Sequence, residues 1–224
     1  MPEWLQFSIL DMTPYNRQGW FGLIETYLQD YPYIALCSLV FCALLAFLTL
    51  RPPPFSQAPR LVLGLLAFSW FWCGAVFQMQ YHATLNWAAP QFAWIFLAQT
   101  ALLALAAIFG KTLSWPQPST VRGHWLSLLI LTLALIYPAV GFLEGRAYGQ
   151  LEWLGLMPTP TTLATLGFIL ILSGTWRWVL LPIPVLWALI SSAFTLKLDL
   201  YEPYIFGLAL CLCAVSAVTK KRSG

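Results

Sequence analysis

The chain has 224 residues, of which 60% are hydrophobic and 8% are charged, and its formal net charge at pH 7 is +3. An ordinary soluble domain is about one quarter charged, and a water-soluble core of this length could not bury so much apolar surface. The composition therefore predicts a single all-α membrane domain with no separate soluble catalytic module. The small positive charge gives no reason to expect a nucleic-acid partner.

The first part of the chain, residues 1–32, predicts an amphipathic segment that lies on the outer surface of the membrane. Thr13 and Pro14 favour a helix start, because a threonine oxygen caps free amides and proline suits the first helical position. Apolar side chains then recur at three- and four-residue spacing, at Trp20, Leu23, Ile24, Tyr27, Leu28 and Tyr31. Such a helix would be an interfacial anchor or, in a sharper version of the hypothesis, a lid over an outer pocket.

Seven apolar stretches follow this segment, and each is close to the roughly 20 residues that cross about 30 Å of hydrocarbon. They are Tyr33–Leu50, Leu61–Tyr81, Gln91–Gly110, Trp125–Leu143, Pro160–Trp176, Trp178–Leu196 and Pro203–Thr219. The predicted fold class is therefore all-α, a polytopic transmembrane helix bundle of about seven spans. The bundle covers residues 33–219, and residues 220–224 form a basic tail.

The charged residues separate into two groups when the loops are assigned to alternating sides of the membrane. All eight carboxylates share the side of the N-terminus: Glu3, Asp11, Glu25, Asp30, Glu144, Glu152, Asp199 and Glu202. Most basic residues share the other side: Arg51, Arg60, Lys111, Arg122, Arg177, Lys220, Lys221 and Arg222. Because basic loops stay in the cytoplasm, the sequence predicts an outer N-terminus and a cytoplasmic C-terminus.

The second stretch carries aromatic residues at its middle as well as at its ends. Trp70, Phe77 and Tyr81 share a helix face with Gly74. This face would stack a planar ligand such as a quinone, or would simply pack against a neighbouring helix.

The five cysteines all lie within the apolar stretches, where a thiol commonly fills space as a small apolar group. Cys211 and Cys213 point away from each other, because residues two apart on a helix are separated by about 200°. The sequence therefore predicts no metal site, and no cofactor is evident from any motif.

Polar residues gather at the outer ends of the predicted helices. His82 and Glu144 lie where a helix meets water, so together they are candidates to bind a cation or another small ligand. Alternatively, Glu144 pairs with Arg146, and Asp199 forms a capping box with Glu202 at the start of the last helix. No ionisable residue lies deep in a predicted stretch, so we expect no proton relay through the centre of the membrane.

The fifth stretch begins with the motif Met157-Pro158-Thr159-Pro160-Thr161-Thr162. Thr159 is a natural N-cap and Pro160 a natural first residue, and the stretch to Trp176 spans only about 25 Å. A short helix whose N-terminus is recessed would present free amides and a positive dipole end to an anion or carboxylate. The alternative is a well-capped short helix under a folded loop.

Three glycines precede this motif at four-residue intervals. Gly141, Gly145 and Gly149 would let another helix approach closely if the fourth span extends outward.

Several of these motifs are shared with a known family: Tyr137-Pro138, Gly141, Gly145-Arg146, the run Met157–Thr162, and Thr165-Leu166-Gly167. Through these motifs the chain resembles a family of small polytopic bacterial inner-membrane proteins of unknown function. Members typically carry a Tyr-Pro kink, a Gly-rich helix end and a Pro-x-Pro-Thr-Thr helix start. The resemblance implies a multi-pass protein of the bacterial plasma (inner) membrane. Some members are labelled permeases, on hydropathy alone. The family's usual cysteine in this motif is Thr159 here, so a thiol-dependent role does not carry over.

Three functions remain open. The first is a small carrier or channel-like permease with a site in its outer half, and the second is a non-catalytic subunit or assembly factor of a larger membrane complex. The third is an enzyme that handles quinone or lipid, which is least expected because a catalytic acid–base pair with a third orienting group is hard to assemble from these residues. The expected partners are the lipid bilayer, other membrane subunits and a small ligand. The candidate ligand-binding residues are His82, Glu144, Arg146, Thr159, Thr161 and Thr162.

Overall fold

The computed structural model describes residues 14–50, 58–110, 121–172 and 174–221, and within these ranges it contains helices and no strands. The α-helices are α1 (Arg17–Asp30), α2 (Ile34–Leu50), α3 (Ala58–Trp72), α4 (Ala83–Leu85), α5 (Ala89–Phe109), α6 (Val121–Leu135), α7 (Tyr137–Leu143), α8 (Pro158–Ile171), α9 (Trp176–Leu180), α10 (Pro182–Lys197) and α11 (Glu202–Lys221). A π-helical segment, Cys73–His82, joins α3 to α4, and a short 3-10 turn covers Tyr148–Gln150.

Three helical stretches in the described ranges are long and apolar enough to cross a membrane: Ala58–Leu85, Ala89–Phe109 and Trp176–Lys197. Two more reach this length only if a bent pair of helices counts as one span. One pair is α1 with Ile34–Leu45, bent by 87°, and the other is Trp125–Leu135 with α7, bent by 55°. The protein is thus all-helical with three to five candidate membrane spans, fewer than the seven that the sequence predicts.

Some of the predicted organisation falls outside the described residues. This applies to residues 1–13 of the amphipathic segment, to Arg51 and Lys111 in the predicted cytoplasmic loops, and to residues 222–224 of the basic tail.

Helix α1 begins at Arg17, later than Thr13 and Pro14 suggested. Its N-cap is Asn16, whose side-chain oxygen accepts a hydrogen bond from the amide of Gly19 at 2.8 Å. The predicted apolar face is buried against protein. Its residues belong to a small hydrophobic cluster with Phe77 of the π segment and with Leu151. Helix α1 therefore lies across one end of the bundle, which we call the α1 end.

Helix α8 is the centre of the bundle, because all of its 14 residues are buried. It is about 21 Å long at 1.5 Å per residue. A side chain at Gly167 would meet the Leu131 side chain at 2.9 Å and the Ser127 carbonyl oxygen at 3.1 Å. The glycine therefore allows α6 to pack closely against α8.

Two interruptions of regular α-helix shape the α1 end. Pro138 follows the break between α6 and α7, where a proline ring cannot continue the hydrogen-bonding pattern of the preceding turn. The π segment spans ten residues, although π-helix is rare and usually limited to single turns, often at functional sites. It carries Gln78 and His82, both buried.

Candidate binding site

A small cavity lies at the α1 end, where the π segment meets the start of α8 and the second half of α10. Its volume is about 20 Å³, which is room for about one water molecule. Its lining is mixed, with hydroxyl, amide and imidazole groups beside aromatic rings: Tyr15, Trp20, Gln78, His82, Pro158, Thr159, Trp187, Ser191, Phe194, Thr195 and Leu198.

His82 is held in one orientation within this lining. Its Nδ1 lies 2.6 Å from Oε1 of Gln78, and its Nε2 lies 3.0 Å from the hydroxyl oxygen of Tyr15. Because an amide oxygen only accepts hydrogen bonds, Nδ1 carries the proton and donates to Gln78. Nε2 then accepts from Tyr15, so His82 is a neutral imidazole with both ring nitrogens engaged.

Tyr15 contributes a hydroxyl that stays protonated. Burial raises the pKa of Tyr15 above its usual value, since the phenolate would lose its hydration. The ring also stacks on Trp20, with centroids 5.8 Å apart. Both residues belong to the N-terminal region, so this region forms one wall of the cavity.

A buried carboxylate lies directly behind the cavity wall. Glu202, the first residue of α11, is only 1% exposed. Its Oε1 accepts hydrogen bonds from Thr159, at 3.0 Å, and from Ser191, and its Oε2 accepts one from Tyr137 at 3.3 Å. We call these four residues the Glu202 cluster. Two of its members, Thr159 and Ser191, also line the cavity.

This position of Glu202 differs from the capping box that its spacing from Asp199 suggested. The carboxylate of Glu202 points toward α8 and α10, and its oxygens are occupied by hydroxyl groups. Asp199 has a positive φ of 54°, a conformation that aspartate tolerates better than most residues.

A second group of buried charges lies in the segment between α7 and α8. Nη2 of Arg146 is 2.6 Å from Glu144, and Nη1 is 3.0 Å from Glu152, with all three side chains 1–2% exposed. We call these three residues the Arg146 cluster. Burial alone disfavours the guanidinium charge, but Glu152 and Glu144 outweigh this and raise the pKa of Arg146 above its usual value.

The Arg146 cluster is further tied into the fold. The guanidinium carbon of Arg146 lies 4.8 Å from the ring centroid of Phe21, and Glu144 also accepts a hydrogen bond from the amide of Tyr201. Neither Glu144 nor Arg146 lines the cavity. The structure thus brings His82 together with Thr159, whereas Glu144 belongs to a separate group of charges.

The start of α8 differs from the sequence prediction in its cap. The helix begins at Pro158 with Met157 as N-cap, and the Thr159 hydroxyl donates to Glu202. Because Pro158 and Pro160 have no amide hydrogen, Thr159 supplies the only amide among the first three residues. This helix end is consequently a poor donor set for an anion.

The other two predicted threonines have local roles. The Thr161 hydroxyl oxygen accepts a hydrogen bond from the amide of Gly155 at 3.0 Å. The Thr162 hydroxyl donates to the Pro158 carbonyl at 2.8 Å. Neither residue lines the cavity.

The three candidates for stacking a planar ligand, Trp70, Phe77 and Tyr81, also do not line the cavity. Trp70 donates from its indole nitrogen to Thr165 at 2.8 Å and packs on Phe96. Phe77 and Tyr81 face α1 instead, and the Tyr81 hydroxyl donates to Asp30 at 2.7 Å. The three side chains therefore do not surround one space.

The glycine repeat does not continue along a helix. Helix α7 ends at Leu143, so Gly145 and Gly149 lie beyond it, and Gly145 has a positive φ of 76° that glycine adopts without strain. Gly141 faces Leu151 and Arg146 of the following loop.

Three buried N–H groups in the cavity lining have no hydrogen-bond partner among the described residues: Nε2 of Gln78, Nε1 of Trp20 and Nε1 of Trp187. Buried donors are rarely left unpaired in folded proteins. Neither these donors nor Ser191 and Thr195 are among the residues that the sequence predicts for the site. For Ser191 and Thr195 a signal exists, because their spacing of four residues within an apolar stretch places two hydroxyls on one helix face.

Comparison with known proteins identifies one family. No curated protein and no solved structure matches the chain significantly. A family model described as "Family of unknown function (DUF6064)" matches residues 17–223, nearly the whole chain. The chain belongs to this family of unknown function.

Proposed function

We propose that this protein is a small carrier of the bacterial plasma membrane whose binding site is the cavity at the α1 end. The observation that carries the proposal is the concentration of buried polar groups around this cavity. His82, Gln78 and the Glu202 cluster are far more polar than helix packing requires, and burying polar groups costs free energy that their hydrogen bonds offset only in part. Sites of this kind typically lie between helices of a bundle.

The carrier has seven spans in this proposal. Each of the seven apolar stretches contains a described helix, and the sharp bend between α1 and α2 suits a helix that lies along the surface before the first span. Helices α8 and α11 are short in their described apolar parts, but a bilayer can thin around short spans, and α8 is enclosed by its neighbours.

The α1 end is the outer end in this proposal. At this end, hydrogen bonds join the N-terminal helix to the loops that carry the acidic residues. The seven-span topology requires this proximity, because alternating loops place these segments on the same side of the membrane. Arg17 donates to the Glu144 carbonyl oxygen at 3.0 Å, and Gln150 donates to Glu25 at 3.1 Å. The positive-inside rule then places this end outside.

Reporter fusions test the topology. An enzyme that is active only in the cytoplasm should give a signal when fused after Gly224 and none when fused after Asn86. The opposite pattern would contradict the proposed orientation.

Helix α1 acts as a lid in this mechanism. The cavity as it stands admits little more than one water molecule, and Tyr15 and Trp20 form its wall on the N-terminal side. A larger solute would enter from outside when this wall moves away. Carriers alternate between such closed and open states around a fixed site.

Flux into proteoliposomes tests the carrier proposal. Purified full-length protein would be reconstituted, and light scattering would follow the entry of glycerol, acetamide, acetate and methylammonium. At least one solute should equilibrate about tenfold faster than in protein-free vesicles. Ser191→Leu should abolish this flux by filling the cavity. The control is Ser192→Leu, because Ser192 does not line the cavity and donates to the Ala188 carbonyl oxygen.

Two results would contradict a carrier. One is a rate in protein-containing vesicles that equals the rate in empty vesicles for all four solutes. The other is an equal loss of flux in Ser191→Leu and Ser192→Leu, which would mean that the cavity is not on the path.

A further inference from the structure

We infer that the cavity at the α1 end binds a small, flat, uncharged solute that presents a carbonyl oxygen, of the amide class. This inference rests on the proposed function, because it names the solute of the same site. It also requires the movement of the N-terminal wall, since the cavity of about 20 Å³ admits such a solute only when that wall moves away. It follows from the hydrogen-bonding character, the charge and the shape of the lining.

The unpaired donors define the first property. Gln78, Trp20 and Trp187 each line the cavity and each have a buried N–H group without a partner among the described residues. These three residues come from three different elements, the π segment, α1 and α10, so residues that carry an unpaired donor contact the cavity from several sides. The complementary solute atom is a strong acceptor, and a carbonyl oxygen has two lone pairs for such donors.

The charge of the lining defines the second property. No lysine or arginine is among the residues that line the cavity, and His82 is neutral. Glu202 lies one hydroxyl away, behind Thr159 and Ser191, and offers no positive charge to an anion in either of its protonation states. A buried anion without a cation is costly, and the proline-rich start of α8 offers few amides to offset that cost. The unpaired donors equally disfavour a cation.

The remaining lining defines the shape and the second polar group of the solute. Trp20, Trp187 and Phe194 contribute aromatic rings, which favour a planar group over a bulky one. Ser191 and Thr195 donate their hydroxyl hydrogens to Glu202 and to the Ser191 carbonyl oxygen respectively. Their oxygens therefore retain lone pairs, which suit the N–H₂ group of an amide.

Binding of acetamide to the purified full-length protein in detergent tests this inference. Saturation-transfer NMR on the acetamide methyl group reports binding without any need for transport. Acetate is the matched probe, since it has the same shape and a negative charge, and methylammonium tests a cation. We expect acetamide to bind, and both ions to bind at least tenfold more weakly.

A pair of tryptophan variants locates the binding. Trp187→Phe keeps an aromatic ring in the cavity wall but removes the N–H donor, so it should weaken acetamide binding about tenfold. Trp153→Phe is the control, because the Trp153 indole nitrogen is also buried and unpaired but does not line the cavity. The control should bind acetamide as the wild type does.

The outcomes separate this inference from the carrier proposal. Acetate binding as tightly as acetamide, or equal losses in the two tryptophan variants, would overturn the amide assignment. Flux of glycerol without any acetamide binding would overturn it too, while leaving the carrier intact. Acetamide binding that Trp187→Phe weakens, without flux of any solute, would support the amide site and contradict the carrier.

Discussion

Two groups of buried carboxylates lie at the same end of this bundle and are stabilised in different ways. In the Arg146 cluster, Glu144 and Glu152 contact a guanidinium that stays charged. In the Glu202 cluster, the hydrogen-bond partners of the carboxyl group among the described residues are the hydroxyl groups of Thr159, Ser191 and Tyr137. The two ion pairs of Arg146 are the salt bridges among the described residues, and Glu202 is in neither.

The difference indicates different roles. The ion pairs of the Arg146 cluster hold together the segment between α7 and α8, and none of its residues lines the cavity. The cluster also contacts Phe21 of α1 and the amide of Tyr201, just before α11. Thr159 and Ser191 of the Glu202 cluster also line the cavity. A substitution of Glu202 would therefore alter the hydroxyl groups that contact a bound solute. We therefore expect the Arg146 cluster to support stability and the Glu202 cluster to support binding.

The largest effect is expected from Arg146→Met, measured as thermal and denaturant unfolding of the purified protein in detergent. The change leaves two buried carboxylates without their cation. Removing one partner of a buried ion pair typically costs about 3–5 kcal/mol. We expect a loss of stability in this range and a lower yield of folded protein.

Arg17→Met is the matched control for this loss. Arg17 also contacts the Glu144 region, but its hydrogen bonds go to carbonyl oxygens and it forms none of the ion pairs among the described residues. Its replacement should cost no more than about 1 kcal/mol. Equal losses in the two variants would mean that the ion pairs of Arg146 contribute no more to stability than the hydrogen bonds of Arg17 do.

The helices of this fold were largely predictable from the sequence, because length and hydropathy mark apolar stretches. Helix α8 lies at the proline motif but begins at Pro158 rather than Pro160, and the helix break lies next to the Tyr137-Pro138 pair. The exact start of α1 was missed, since Asn16 and Thr13 are both good caps and only packing selects between them. The π segment had no signal in composition, because its residues fit an α-helix equally well.

The candidate site was predicted only in part. Of the six candidate ligand-binding residues, His82 and Thr159 line the cavity and the other four do not. The sequence left open whether Glu144 binds a ligand or pairs with Arg146, and spacing alone could not decide between them. Glu202 was assigned to a cap for the same reason. The Glu202 side chain points inward because it accepts hydrogen bonds from Ser191 of α10 and Tyr137 of α7. Spacing along the chain does not reveal these partners, because they lie on other helices.

The smallest change in stability is expected from Glu202→Gln, which also gives the sharpest comparison of the two clusters. The glutamine oxygen can still accept from Thr159 and Ser191, and its N–H₂ group can donate to the Tyr137 oxygen. The unfolding free energy should therefore change by no more than about 1 kcal/mol.

Glu152→Gln is the matched variant in the Arg146 cluster. It replaces a charged partner of Arg146 and should cost about 2 kcal/mol. Acetamide binding should be unchanged in Glu152→Gln and nearly unchanged in Glu202→Gln, whose oxygen still orients the hydroxyls of Thr159 and Ser191. Glu202→Leu removes this acceptor and should lose acetamide binding, because only Glu202 orients hydroxyls of the cavity wall. A larger loss of stability in Glu202→Gln than in Glu152→Gln would assign Glu202 to the structural framework and remove the distinction between the clusters.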